Sequence, residues 1–332
     1  MGTTIHSLRR WTFRILVGLV SGLAVVAMLN ASCWSSYRSP TLLLAHRGIA
    51  QNLHGSKDSD TCTADIDPPV HGLLENTIAS MRAAFDAGAD IVEFDIHPTT
   101  DGQFAVFHDW TVDCKTEGHG RTRDHSMAEL EALDIGYGYT ADGGKTFPFR
   151  GKGVGLMPTL DDVLSAFPAR RLLINVKSND PAEGELLAAR LARLPPERLE
   201  QLMSYGGDRP MSVLRARLPS LRVMSRESET ACVKRYIAIG WTSAIPDACR
   251  RSMIIVPLDI APWIWGWPNL FLERMTKVGT QVFVAGPGTT NTTGIDSEQM
   301  VQRLPEDFSG GIWTNRIDLL GPLFGRRPNP AH

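Results

Sequence analysis

Short apolar runs recur from residue 41 onward, and each ends on polar or charged residues. Residues 41–45 (T-L-L-L-A) lead directly into His46-Arg47-Gly48, and similar runs stand at 172–176, 202–204, 221–225, 253–257, 281–285 and 310–314. Runs of this kind read as strands buried on both faces, the signature of a parallel sheet. Between them lie stretches with apolar residues at helical spacing, at 78–89, 160–167, 182–193, 210–217, 230–239 and 269–278. Repeated strand-helix units predict an α/β fold, a (β/α)8 TIM barrel, in which polar residues at the C-terminal ends of strands form the active site. The alternative is an open doubly wound sheet, but no G-x-G-x-x-G follows the first strand.

A different pattern occupies residues 91–109. From 91 to 96 apolar residues alternate with acidic ones, so Glu93 and Asp95 project from one face of a strand. Two carboxylates on a half-buried face need positive charge between them, and a hard divalent cation is a common solution. Asp101-Gly102 supplies a turn, and residues 104–108 read as a returning strand that sets Asp95 opposite His108. Counting this strand gives one candidate more than eight staves, and 253–257, one of the short runs, is the expected surplus. Long polar or Gly-rich segments at 49–74, 111–123 and 136–158 read as loops, the first and last of them covering the strand ends.

The N-terminal pattern changes the picture again. No charged residue occurs from 15 to 37, and Arg9, Arg10 and Arg14 precede this stretch. It reads as a transmembrane anchor or signal segment, with residues 1–14 cytoplasmic and a barrel domain at 40–325 on the extracytoplasmic side. An uncleaved anchor is the favoured form; cleavage would give a secreted protein. Besides Cys33 there are four cysteines, an even number that suits an exported chain, and neighbour pairing predicts Cys62–Cys114 and Cys232–Cys249. The net charge of -2 and the lack of a basic stripe argue against nucleic-acid binding. No protein partner emerges from the pattern.

At the candidate strand ends stand His46, Arg47, Glu75, Asn76, Glu93, Asp95, His108, Asp109 and Lys177. Two imidazoles, two carboxylates on one face and two fixed cations suit phosphodiester cleavage. One imidazole takes a proton from the nucleophile and the other returns one to the leaving oxygen, while cations hold the phosphoryl oxygens.

The motifs H-R-G (46–48), E-N-T (75–77), E-F-D (93–95), D-G (101–102) and H-D (108–109), in that order, resemble the glycerophosphodiester phosphodiesterase family. That resemblance implies a β/α barrel hydrolysing glycerophosphodiesters to glycerol phosphate and an alcohol. It implies His46 and His108 as the acid/base pair and Arg47 and Lys177 as phosphate ligands. Glu93 and Asp95 would be ligands of calcium or magnesium. The family's Glu-x-Lys is Asn175-Val176-Lys177 here, so one metal-ligating carboxylate becomes an amide; Asn175 can offer its carbonyl oxygen, or Glu75 can contribute instead. Two other readings follow. One is a barrel enzyme cleaving membrane lipids or lysophospholipids, in the manner of sphingomyelinase D, with the tryptophans at 263, 265 and 267 at the lipid interface. The other is a weakly catalytic ligand-binding homologue, motivated by Asn175.

Overall fold

The computed structural model describes residues 2–53, 63, 65–288 and 293–326. Nine strands join in one sheet: β1 (Leu42–His46), β2 (Ile91–Pro98), β3 (Phe104–Val106), β4 (Arg171–Val176), β5 (Leu202–Gly206), β6 (Arg222–Ser225), β7 (Met253–Pro257), β8 (Gln281–Ala285) and β9 (Gly311–Thr314). Their spatial order is β6-β5-β4-β2-β1-β9-β8-β7, with β3 paired to β2 off this path. Every pairing is parallel except β2 with β3. β6 and β7 approach each other without a hydrogen-bonded ladder, so the eight-stranded parallel barrel is nearly closed.

The expected surplus strand was misplaced. Residues 253–257 form a full stave, in register with β8 from Met253↔Gln281 to Pro257↔Ala285. The surplus is β3, which returns antiparallel after a tight turn and so cannot be a stave, because parallel neighbours need a long crossover. The hairpin register also differs by one residue. Ile96 pairs with Val106, and the Phe107 N–H donates to the Asp95 carbonyl at 3.1 Å. Phe107, not His108, therefore stands across from Asp95.

Alternation along the strands builds the core in two layers. Leu43, Ala45, Val92, Phe94, Leu172 and Ile174 point outward into the cluster under the helices. Leu44, Ile91, Leu173, Met203, Met224 and Trp313 point inward and fill the lumen. Two residues further along the same inward rows stand His46, Glu93, Asn175 and Tyr205, so the polar site is the top layer of a packed barrel. The loops after β2 are not an open lid. Leu74, Phe107, Val112, Leu130, Ile135, Tyr139, Phe149 and Met157 bury one another in a separate small core beside the barrel mouth.

Cys232 and Cys249 form the expected disulfide. Cys114 is disulfide-bonded, and its expected partner Cys62 lies outside the described residues. The N-terminal helix Gly2–Leu29 holds an apolar span, Trp11–Leu29, long enough to be a membrane anchor or a signal sequence. Directly after it the chain packs on the barrel. The Asn30 side-chain amide donates to the Trp241 carbonyl at 2.9 Å, Ser35 donates to Glu273, and Arg38 pairs with Asp307.

Of the tryptophan segment, Trp265 and Trp267 pack against the core while Trp263 is 79% exposed.

Candidate active site

The turn after β1 sets the geometry. Arg47 has φ 57° and Gly48 φ 77°, a reversal that turns the chain back over the barrel mouth. A side chain at Gly48 would collide with Ser80, so the close approach requires glycine. In this turn the Arg47 N–H donates to Glu93 Oε2 at 3.1 Å. Its guanidinium lies 3.4 Å from Asp95 and 3.3 Å from Glu75. The E-N-T motif divides its work. Thr77 caps the Ile78–Asp86 helix by accepting from the Ser80 N–H. Asn76, at φ 60°, faces the mouth instead: its amide donates to Asp95 Oδ2 at 3.0 Å and its oxygen accepts from the Asp95 N–H.

Each imidazole is held through Nδ1. His46 donates from Nδ1 to Asn315 Oδ1 at 2.6 Å, and Arg47 Nε donates to its Nε2 at 3.2 Å, an arrangement that fits a neutral ring. Asn315 is fixed in turn by Asp296, through its backbone N–H and its side-chain amide. His108 donates from Nδ1 to Asp109 Oδ1 at 2.6 Å. Nε2 is the remaining ring nitrogen on both. Burial, and then the charge of Arg47, pull His46 down to about 3. The same two causes lower His108.

Asp95 and Glu75 are buried and stay ionised because cations reach them. Asp95 receives the Asn175 amide at 2.7 Å and has Lys177 at 3.6 Å. Against the effect of burial, Lys177, His108 and Arg47 hold it well below the ordinary carboxylate value. Glu93 accepts from the Tyr205 hydroxyl at 2.7 Å; burial, and then repulsion from Asp95, push it up to about 8. Glu75 is pulled down to about 2 despite its burial, by Lys115 and then Arg47. Lys115, 1% exposed, bridges Glu75 and Asp109. A cavity of about 230 Å³ opens beside this network, lined by Asn175, Lys177, Tyr205, Trp110 and Arg226.

The eight residues to which the sequence gives acid/base, phosphate or metal roles, His46, Arg47, Glu75, Glu93, Asp95, His108, Asn175 and Lys177, thus meet in one network at one end of the barrel. Residues 46–206 match the glycerophosphoryl diester phosphodiesterase family. The chain is 36% identical to a Bacillus subtilis glycerophosphodiester phosphodiesterase over 259 residues, which cover 74% of this chain and 80% of that one. The chain belongs to the glycerophosphodiester phosphodiesterase family, a family of phosphodiester hydrolases. A Caldanaerobacter subterraneus glycerophosphodiester phosphodiesterase is 33% identical over 137 residues, and that match spans only 44% of its length. Among solved structures, the Agrobacterium tumefaciens glycerophosphodiester phosphodiesterase shares the fold with TM-score 0.55 at 21% identity, over 86% of this chain and 99% of that one. The Oleispira antarctica phosphodiesterase in complex with the product sn-glycerol-3-phosphate shares it with TM-score 0.52 at 18% identity, over 86% and 97%.

Four side chains of this family member escaped the sequence reading: Lys115, Tyr205, Asn315 and Trp313. Tyr205 and Asn315 follow the inward rows of β5 and β9 and were accessible from strand position. Trp313 packs 4.9 Å from the His46 ring, and its buried indole N–H has no acceptor among the described residues.

Among the described residues no set of three or more His, Cys, Asp or Glu side chains gathers as a metal cage. The donors fit a hard cation in kind. Glu93 and Asp95 offer carboxylate oxygens, and Asn175, whose amide nitrogen points to Asp95, keeps its oxygen as a third. Glu75 would have to leave both Lys115 and Arg47 to serve as a ligand.

Proposed function

We propose that this protein hydrolyses glycerophosphodiesters to glycerol phosphate and an alcohol, with His46 and His108 as the acid/base pair. The observation that carries this reading is the matched anchoring of the two rings through Nδ1, on Asn315 and Asp109, which orients Nε2 of each for proton transfer. Arg47 and Lys177 are the groups that would bind the phosphoryl oxygens and stabilise the charge developing on them. Glu93, Asp95 and the Asn175 oxygen would hold calcium or magnesium. When bound, that ion supplies neutralising charge for the phosphoryl group, weaker in grip than with a third carboxylate. Asp109 positions His108, and Lys115 keeps Glu75 ionised in the interior while also pairing with Asp109.

His46 is unprotonated at neutral pH, the state a first base must have, because burial and then the charge of Arg47 pull it down to about 3. In this reading the nucleophile is the substrate's own glycerol hydroxyl. The phosphorus–alcohol bond breaks as a cyclic phosphate forms; His46 takes the hydroxyl proton, and His108, which enters the step as imidazolium with Asp95 and Asp109 favouring that form, gives one to the leaving alkoxide. Water then opens the ring with the roles exchanged.

The N-terminal helix, read as an uncleaved anchor, would keep the barrel on the extracytoplasmic side, where deacylated phospholipids are the available diesters. The lipid-cleaving alternative draws on the N-terminal helix and, of the tryptophan segment, on Trp263, since Trp265 and Trp267 pack against the core. The test is product analysis across glycerophosphocholine, glycerophosphoethanolamine and lysophospholipid vesicles, with calcium, magnesium or chelator. Soluble diesters should yield glycerol phosphate and turn over fastest; cleavage confined to vesicles would overturn this choice of substrate.

A further inference from the structure

At the end of the barrel opposite the mouth, where strands begin, a second cavity of about 220 Å³ is lined by Arg171, Arg222, Tyr37, Ser39 and Thr276. Arg171 opens β4 and Arg222 opens β6, so both guanidinium groups belong to the closed end. Their hydrogen bonds go to neutral acceptors. Arg171 donates to the Gln281 side-chain oxygen at 2.6 Å, and Arg222 donates to the carbonyls of Gly279 at 3.2 Å and Glu200 at 3.4 Å. Neither makes an ion pair among the described residues. Asp90, the carboxylate that favours the charged form of Arg171, is already committed to Arg326 and to the Leu43 N–H. Two half-buried cations sharing one cavity repel each other, and burial and Arg222 both lower the Arg171 pKa. A multivalent anion between them would relieve that repulsion. Guanidinium forks match phosphate oxygens, and the space exceeds what one phosphate needs, given that a water takes about 30 Å³ in the liquid.

We propose that this closed-end cavity is a phosphate-binding site, separate from the catalytic mouth, that takes either a free phosphate or the phosphate of a lipid headgroup. The lipid source is physically near. Residues 30–39 run from the end of the apolar helix onto this same face, and Tyr37 and Ser39 of that segment line the cavity. Trp34 and Trp241, 64% and 47% exposed, flank the helix end as interfacial tryptophans do. The site places the barrel with its closed end toward a bilayer and its mouth toward water.

The experiment is a calorimetric titration of inorganic phosphate into the full chain held in dodecyl maltoside micelles, which carry no phosphate. Arg171→Gln and Arg222→Gln should each weaken a phosphate-binding event by about tenfold or more, while Arg47→Gln leaves that event in place. Glycerophosphodiester turnover should be unchanged in both closed-end variants, which separates this outcome from any failure of the proposed catalytic function. If the Gln variants do not fold, Arg171→Lys and Arg222→Lys keep the charge but lose the fork and should still weaken binding several-fold. Phosphate affinity unaffected by substitution at Arg171 and Arg222, or no phosphate binding by the wild type beyond the event lost in Arg47→Gln, would overturn the proposal. Repeating the titration in phosphatidylglycerol nanodiscs assigns the source. Loss of the event there supports a site filled by headgroups, and its persistence supports a site for free phosphate.

Discussion

The two ends of the barrel carry positive charge in opposite ways. At the mouth, Arg47, Lys115 and Lys177 are each committed to buried carboxylates, and every one of those carboxylates is reached by a cation or a hydrogen-bond donor. At the closed end, Arg171 and Arg222 touch only neutral oxygens. The difference shows what charge costs in each place. A network that must stay ionised inside the protein is cross-paired, and truncating it leaves bare charge behind. The closed-end arginines hold no structure of comparable weight, so their charge remains available to a ligand.

The largest effect that sharpens this contrast is on stability. Lys115→Met should destabilise the barrel by about 3–5 kcal/mol, because Glu75 and Asp109 would lose their shared cation in the interior; urea unfolding measures it. The pH dependence has a definite sign. Glu75 falls from 4.5 to about 2 on folding, so its contribution is present above about pH 4.5 and is lost as pH drops toward 2. Without Lys115 the Glu75 pKa rises and acid unfolding should begin at higher pH. Unchanged acid stability in Lys115→Met would break the comparison.

Next comes Arg47→Gln, expected to lower kcat/KM about a hundredfold. It should also move the acid limb of the pH profile upward, since Arg47 is a cation that disfavours the imidazolium forms of both His46 and His108. A downward shift would contradict that assignment. At the proposed cation site, Asn175→Glu should tighten calcium or magnesium binding by about tenfold in calorimetry, because it adds a third carboxylate to Glu93 and Asp95. The smallest effect is at the other end: Arg171→Gln should change unfolding free energy by less than about 0.5 kcal/mol.

Much of this was legible before any coordinates. Parallel staves are apolar runs with polar ends, so the strand positions, the barrel and the ring of chemical side chains follow from patterning alone. The apolar pattern does not distinguish Met253–Pro257, a true stave, from the hairpin return at Phe104–Val106, which geometry forbids as one. The one-residue slip that put His108 opposite Asp95 reflects how weakly a sequence specifies turn register. Lys115 was hidden for a different reason. It lies in an aperiodic polar loop where a lysine reads as solvated, and only the packing of that loop beside the mouth buries it. The family motifs end near Lys177, yet Tyr205, Trp313 and Asn315 complete the site from later strands, because closing a barrel brings distant strand ends to one mouth.

The most direct test follows glycerophosphocholine by phosphorus NMR with the wild-type chain, His46→Ala, His108→Ala and the double variant. The wild type should release glycerol phosphate, each single variant should be slower by about a hundredfold to ten-thousandfold, and the double variant should be scarcely slower than the worse single, with melting temperatures alike. Glycerol phosphate released at the wild-type rate by the double variant, or none released by the wild type, would contradict the account.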